Sequence, residues 1–146
     1  MAKPDLEAAI ALAIRVHRGQ VYPSPEREPY VLHPLRVMLA VTPGPAQIVA
    51  MLHDVVEDTH VTLDNLKQRG YPNLILSAID ALSRRRGESY ERYIKRAAAN
   101  ELAKEVKLAD LYDNLANNRR LPPTAERRVR ILRYQRARKI LDAGKT

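Results

Sequence analysis

The chain of 146 residues contains no cysteine, no tryptophan and no phenylalanine; seven tyrosines are its whole complement of large aromatic side chains. The missing cysteine excludes disulfides, thiolate metal sites and a cysteine nucleophile. Without Phe and Trp, the core has to be filled by Leu, Ile, Val, Ala and Tyr. The alternation that a half-buried strand needs is absent, and no apolar run approaches the ~20 residues of a membrane span. Nothing at the amino terminus resembles a signal peptide. These absences point to a cytoplasmic protein without a membrane partner, and the length fits a single domain, 1–146.

Acidic residues are scarce in one place only. Residues 1–118 carry 15 Lys and Arg against 15 Asp and Glu, whereas residues 119–146 carry 10 basic residues against Glu126 and Asp142. The whole net charge of +8 therefore lies in the tail. Such a segment suits nucleic acid, a membrane surface or an anionic small substrate, and it also suits the solvated face of a terminal helix.

Helical periodicity, by contrast, runs through almost the whole chain. It predicts a helix over 5–18, stopped by Gly19, then a loop over 21–29 with three prolines. Pro34 belongs in the first turn of a short helix that ends before 42–45, and a further helix runs from about Ala46 to Asp58. Thr62 opens a helix ending at Gly70, and 73–84 form the next. Ser89 and Asn100 can cap two more, and Pro122-Pro123 separate these from a basic final helix beginning at about Thr124. The expected architecture is an all-α bundle of about seven or eight helices.

The stretch MLHDVVEDTH, 51–60, sets polar residues into a buried-helix pattern. At 100° per residue, His53, Asp54, Glu57 and Asp58 fall within an arc of about 140°. Acids at a helix carboxyl end oppose the helix dipole, and burying an unpaired polar group costs roughly 2–7 kcal/mol. A bound divalent cation would answer both costs; a frayed turn with solvated acids and a satisfied core histidine is the other reading. A cation needs ligands from other helices too. EPYVLHP offers His33, and VKLADLYDN offers Asp110 with Asn114 one turn on, although Asp110 could simply pair with Lys107.

Taken together, HRGQ, EPYVLHP, LHDVVEDT and VKLADLYDN resemble the successive motifs of HD-domain metal phosphohydrolases. The similarity is to the hydrolase domain of RelA/SpoT-type enzymes and to small stand-alone alarmone hydrolases, and it runs from about His17 to Asn118. The resemblance implies an HD-domain fold and four ligands for one metal, His33, His53, Asp54 and Asp110. It also implies that Glu57 and Asp58 orient and deprotonate the attacking water, that Asn114 holds the nucleotide sugar, and that pyrophosphate is removed from the 3′ position of guanosine 3′,5′-bis(diphosphate), ppGpp. Manganese is the implied metal, and the mixed imidazole and carboxylate donors leave Zn²⁺, Fe²⁺ and Mg²⁺ open. For phosphate binding the sequence offers Lys107, Arg92, Lys95, Arg96 and the basic tail. His17 suits a structural place at the end of the first helix, and His60 a solvated one.

The chain departs from the family pattern in one loop. After Gln20, the family's Arg and Lys are replaced by Tyr22 and Pro23, and the Gly of its Gly-x-Pro-Tyr element is Arg27. Arg18 or Arg27 could substitute for the lost cations. Tyr22 could stack on a base but could not bind phosphate, which implies a weakened preference for guanine. Two alternatives accompany the ppGpp reading. One is a phosphatase or pyrophosphatase of another nucleotide such as NADPH. The other, less favoured because the acid and ligand set is complete, is a non-catalytic nucleic-acid binder. Oligomeric state is not legible.

Overall fold

The computed structural model describes residues 3–143, and the outermost residues of the expected 1–146 domain lie outside that range. Among the described residues the fold is all-α. The elements are α1 (Leu6–Val16), α2 (Leu32–Leu39), α3 (Pro45–Leu52), α4 (Val55–Asp58), α5 (Leu63–Gln68), α6 (Asn73–Ala81), α7 (Tyr90–Ala98), α8 (Glu101–Arg120) and α9 (Ala125–Asp142). An isolated bridge between Val21 and Pro29 closes the proline-rich loop. None of these helices is long and apolar enough to cross a membrane.

Four of the nine helix starts among the described residues are capped at residues the sequence singles out. Thr62, Ser89, Asn100 and Thr124 each accept a hydrogen bond from the backbone amide three residues on, satisfying one of the orphan donors of a first turn. Asp5 does the same for α1. The expected helix over 46–58 is instead two helices, with a break at His53 and Asp54. His53 supplies a reason: its ring Nδ1 donates to the Ala50 carbonyl at 2.5 Å. In a continuing helix that carbonyl would receive the amide of residue 54. The break turns His53 and Asp54 inward and leaves α4 as a single turn.

Two apolar clusters hold the helices together. The larger joins α1 to α6 and the first half of α8, with Ala9, Val37, Val49, Leu52, Leu66, Ile79 and Val106 all fully buried. The smaller joins α7, α8 and α9 through Tyr93, Ile94, Leu111, Ala137 and Leu141. Each fully buried aliphatic side chain contributes roughly 1.5–3 kcal/mol, so the first cluster carries most of the cohesion. Helix α8 threads both, with Val106 in one and Leu111 in the other. Asp110 lies on the seam.

Candidate metal centre and cleft

Three places in the fold supply the donors. His33 is the second residue of α2, His53 and Asp54 form the α3–α4 break, and Asp110 projects from α8. One ligand atom from each of these four residues lies within 4.8 Å of the others. His33 Nε2 is 2.7 Å from Asp110 Oδ1, and His53 Nε2 is 3.0 Å from Asp54 Oδ2 and 3.2 Å from Asp110 Oδ1.

The outer nitrogens of both rings are already engaged. His33 Nδ1 meets Asp113 Oδ2 at 2.7 Å, and His53 Nδ1 donates to Ala50. A neutral imidazole has one N–H, and here it is directed outward, so the Nε2 lone pairs face carboxylate oxygens. Acceptor facing acceptor in a buried site requires a cation between them or a proton on the ring. Without a metal the proton is favoured: burial opposes it, but Asp54 and Asp110 hold the His53 pKa well above its usual value. The donor set and its outer hydrogen bonds fit a divalent cation.

The surrounding groups fix these donors. Tyr30 donates from its hydroxyl to Asp54. Asp113 is gripped by Arg36 through Nε at 2.7 Å and Nη2 at 3.1 Å, and Arg36 also pairs with Glu28 at 2.7 Å. Lys107 is buried and donates to Asp110 Oδ2 at 2.9 Å, with its Nζ 5.1 Å from the centre of the Tyr93 ring. Burial opposes the charge on both partners, yet Lys107 stays well above the usual lysine range and Asp110 well below the usual carboxylate range. The pairing of Asp110 with Lys107 and its convergence with the histidines therefore occur together, one on each oxygen.

Glu57 and Asp58 sit at the end of α4. Glu57 lines a cleft of about 230 Å³ over the donor cluster; Asp58 stands beside it, outside the lining. Partial burial of the carboxyl group, then the neighbouring Asp54, push Asp58 up to about 6, and burial followed by Asp54 raises Glu57 as well. Asn114 lines the same cleft, donating to Asp110 Oδ1 at 3.4 Å and accepting from the Tyr22 hydroxyl at 2.7 Å.

Two expectations for the recognition loop need correction. Tyr22 is only 3% exposed and stacks on His33, with centroids 4.9 Å apart and an angle of 9°. Its ring is taken up inside the protein rather than offered to a base. Arg18 is exposed in the turn after α1 and does not line the cleft. The proposed cations sort differently as well: Arg96 is held by Glu88 and by the Asp80 and Ser83 carbonyls, Lys95 pairs with Glu91, and Arg92 is outside the lining. Of the cations the sequence offered, Lys107 and, from the basic tail, Arg133 face the cleft; Arg84 joins them, with Tyr90 and Tyr134. Sequence reasoning missed Asp113, which its i+3 spacing from Asp110 could have flagged. It also missed Arg84; Arg133 belongs to the basic tail that the sequence offered, but basic patterning alone does not single it out.

No family model matches the chain. Among curated proteins, it is 34% identical over 139 residues to the mouse guanosine-3′,5′-bis(diphosphate) 3′-pyrophosphohydrolase MESH1, covering 88% of this chain and 77% of that one. The Drosophila melanogaster MESH1 is 32% identical, with 86% and 76% covered. The GTP pyrophosphokinase of Streptomyces coelicolor is 32% identical over 80% of this chain but only 15% of its own length. A solved structure of a metazoan SpoT orthologue, one that hydrolyses ppGpp, superposes with a TM-score of 0.83 at 25% identity, covering 97% of this chain and 88% of that one. On sequence along most of both chains, and on backbone, the protein belongs to the family of MESH1- and SpoT-type pyrophosphohydrolases.

Proposed function

We infer that the protein is a metal-dependent 3′-pyrophosphohydrolase of ppGpp, with His33, His53, Asp54 and Asp110 as ligands of one Mn²⁺ and Glu57 with Asp58 as the acid pair. The observation that carries the reading is the meeting of two Nε2 atoms and two carboxylates in one space, with both Nδ1 atoms engaged elsewhere. Zn²⁺, Fe²⁺ and Mg²⁺ compete for the same donors. When bound, the metal supplies Lewis acidity toward a phosphoryl oxygen and lowers the pKa of water.

The chain's own groups supply the remaining chemistry. A carboxylate whose pKa lies near 6 can accept a proton close to neutral pH, which suits Asp58, and Glu57 faces the cleft where an attacking water would stand. Water oxygen bonds to the phosphorus next to the 3′ oxygen, the bond between that phosphorus and the 3′ oxygen breaks, and the proton that the acid pair takes from water is returned to the leaving 3′ oxygen. The products are GDP and pyrophosphate. Arg84 and Arg133 face the cleft beside the Tyr90 ring, their Cζ atoms 5.7 and 5.1 Å from its centre, and are assigned to the phosphates. Lys107 is committed to Asp110 and serves to hold that ligand. A soluble nucleotide substrate suits a cytoplasmic enzyme.

The test is turnover of a nucleotide panel containing ppGpp and NADPH, with Mn²⁺ present or chelated. Release of pyrophosphate from ppGpp only with metal is the expected result. Phosphate release from NADPH without turnover of ppGpp would transfer the reading to the other substrate.

A further inference from the structure

Helix α4 is one turn long, carries the acid pair at its end, and has no side-chain cap at its start. A single turn is too short to hold its own shape, so something outside it must fix where Glu57 and Asp58 stand. Its start is fixed by Asp54, which receives the Tyr30 hydroxyl. At its end, the Asp58 carbonyl accepts from Gln20 Nε2 at 3.0 Å, across 38 residues of sequence. The Gln20 amide is itself oriented, because its Oε1 meets His17 Nδ1 at 2.8 Å. The backbone of Gln20 is held on both sides, its amide donating to the His17 carbonyl at 3.0 Å and its carbonyl accepting from Tyr30 at 2.9 Å.

His17 stands behind both anchors. It is 2% exposed, its Nε2 has no partner, and its ring lies 4.9 Å from the Tyr30 ring. The Asp58 carbonyl can only accept, so Gln20 turns its NH₂ toward Asp58 and its oxygen toward His17, and a proton on His17 Nδ1 completes that contact and holds the amide in this orientation. We propose that His17 and Gln20 are positioning residues that brace α4 from outside the site, His17 setting the Gln20 amide and Gln20 holding the acid pair through the Asp58 backbone. The proposal rests on the acid-pair reading above.

The brace acts on placement, so its loss should lower kcat with little change in KM. Small misplacements of reacting groups cost up to about 100-fold, and Gln20→Met, which keeps length but cannot donate, is expected to lower kcat about 10- to 100-fold. Metal content by elemental analysis should equal that of the parent. In a Glu57→Gln, Asp58→Asn background, where neither acid remains to be placed, the same change should cost less than about twofold, because groups acting as a unit are not additive. His17→Asn keeps a donor near the Nδ1 position and should retain most of kcat, whereas His17→Leu should fall as Gln20→Met does. Parental kcat in a metal-loaded Gln20→Met, or a full additive loss on the Glu57→Gln, Asp58→Asn background, overturns the brace. Should Gln20→Met fail to fold, equal kcat in His17→Asn and His17→Leu overturns it. Parental kcat in Glu57→Gln alone instead removes the acid-pair reading, whatever Gln20 does.

Discussion

The cleft has two unlike walls. The one formed by α2, the α3–α4 break and α8 is buried and closed on itself: each imidazole has its outer nitrogen engaged, and Asp110 has a different partner on each oxygen. The facing wall, from Arg84, Tyr90 and α9, carries guanidinium groups that rest beside a tyrosine ring and pair with no carboxylate among the described residues. Helices α2 and α3 of the first wall pack in the large core, with Asp110 on the seam, and Tyr90 and α9 of the second pack in the small one. Groups that must hold a fixed geometry are ordered by their neighbours, while charges that must receive a polyanion are left without counter-ions.

The largest effect is expected from breaking the closed wall. His53→Ala removes a ligand and the Ala50 contact together, and elemental analysis should find metal affinity reduced by more than ~100-fold, since even outer partners of metal ligands are worth 10–100-fold. Parental metal content would disprove the ligand assignment. Glu57→Gln should keep the metal and slow turnover by about 10²–10⁴-fold, read from kcat at saturating ppGpp. On the open wall, Arg133→Ala should raise KM more than it lowers kcat, with a loss in kcat/KM equivalent to about 1.5–3 kcal/mol for a hydrogen bond to a charged group.

Two smaller effects sharpen the contrast by stability. The folded pKa of Asp58 is raised from 3.8 to about 6, first by burial and then by Asp54. Between those values the folded state keeps a proton that the unfolded chain has lost, so stability falls as pH rises through 4 to 6, and the penalty is complete above that. With the residue partly exposed, screening discounts the penalty, and Asp58→Asn should raise the stability of the metal-free protein at pH 7 by about 1 kcal/mol, with no gain at pH 3. Urea midpoints at the two pH values measure this. Arg27 has φ of 51°, the left-handed region that glycine tolerates best. Arg27→Gly should stabilise by about 0.5–1 kcal/mol, the relief of left-handed strain less the entropy of glycine. An unchanged denaturation midpoint would show that the loop relaxes without cost.

The two walls also differ in how much of them could be read from sequence. Helices capped by Ser89, Asn100 and Thr124 were legible because the cap and the apolar period are local signals. The four donors were legible as a set through the resemblance to HD-domain hydrolases, since each motif alone is a weak signal, and the fold brings them within reach of one ion. The break at His53 was not, since it depends on a ring donating to a carbonyl three residues back, which a helical periodicity cannot register. Tyr22 looked like a recognition residue because only its chemistry was visible, not the His33 ring under it. Among many arginines, nothing local distinguishes Arg133, which faces the cleft, from Arg96, which is bound up by Glu88 and two carbonyls.

The placement of α9 has a kinetic consequence. All of the chain's excess positive charge lies in residues 119–146, and α9 contributes one face of the cleft. A positive field around the mouth of a cleft draws polyanions by long-range attraction and raises encounter rates by about 10–10³-fold. For a substrate with two diphosphate groups, capture then becomes sensitive to ionic strength, as the Debye length shrinks from about 30 Å at 0.01 M to about 8 Å at 0.15 M. The association rate constant should fall steeply over that range while the rate of the bound chemical step stays level. Fast collection of a scarce polyanion would then belong to the last helix of the chain.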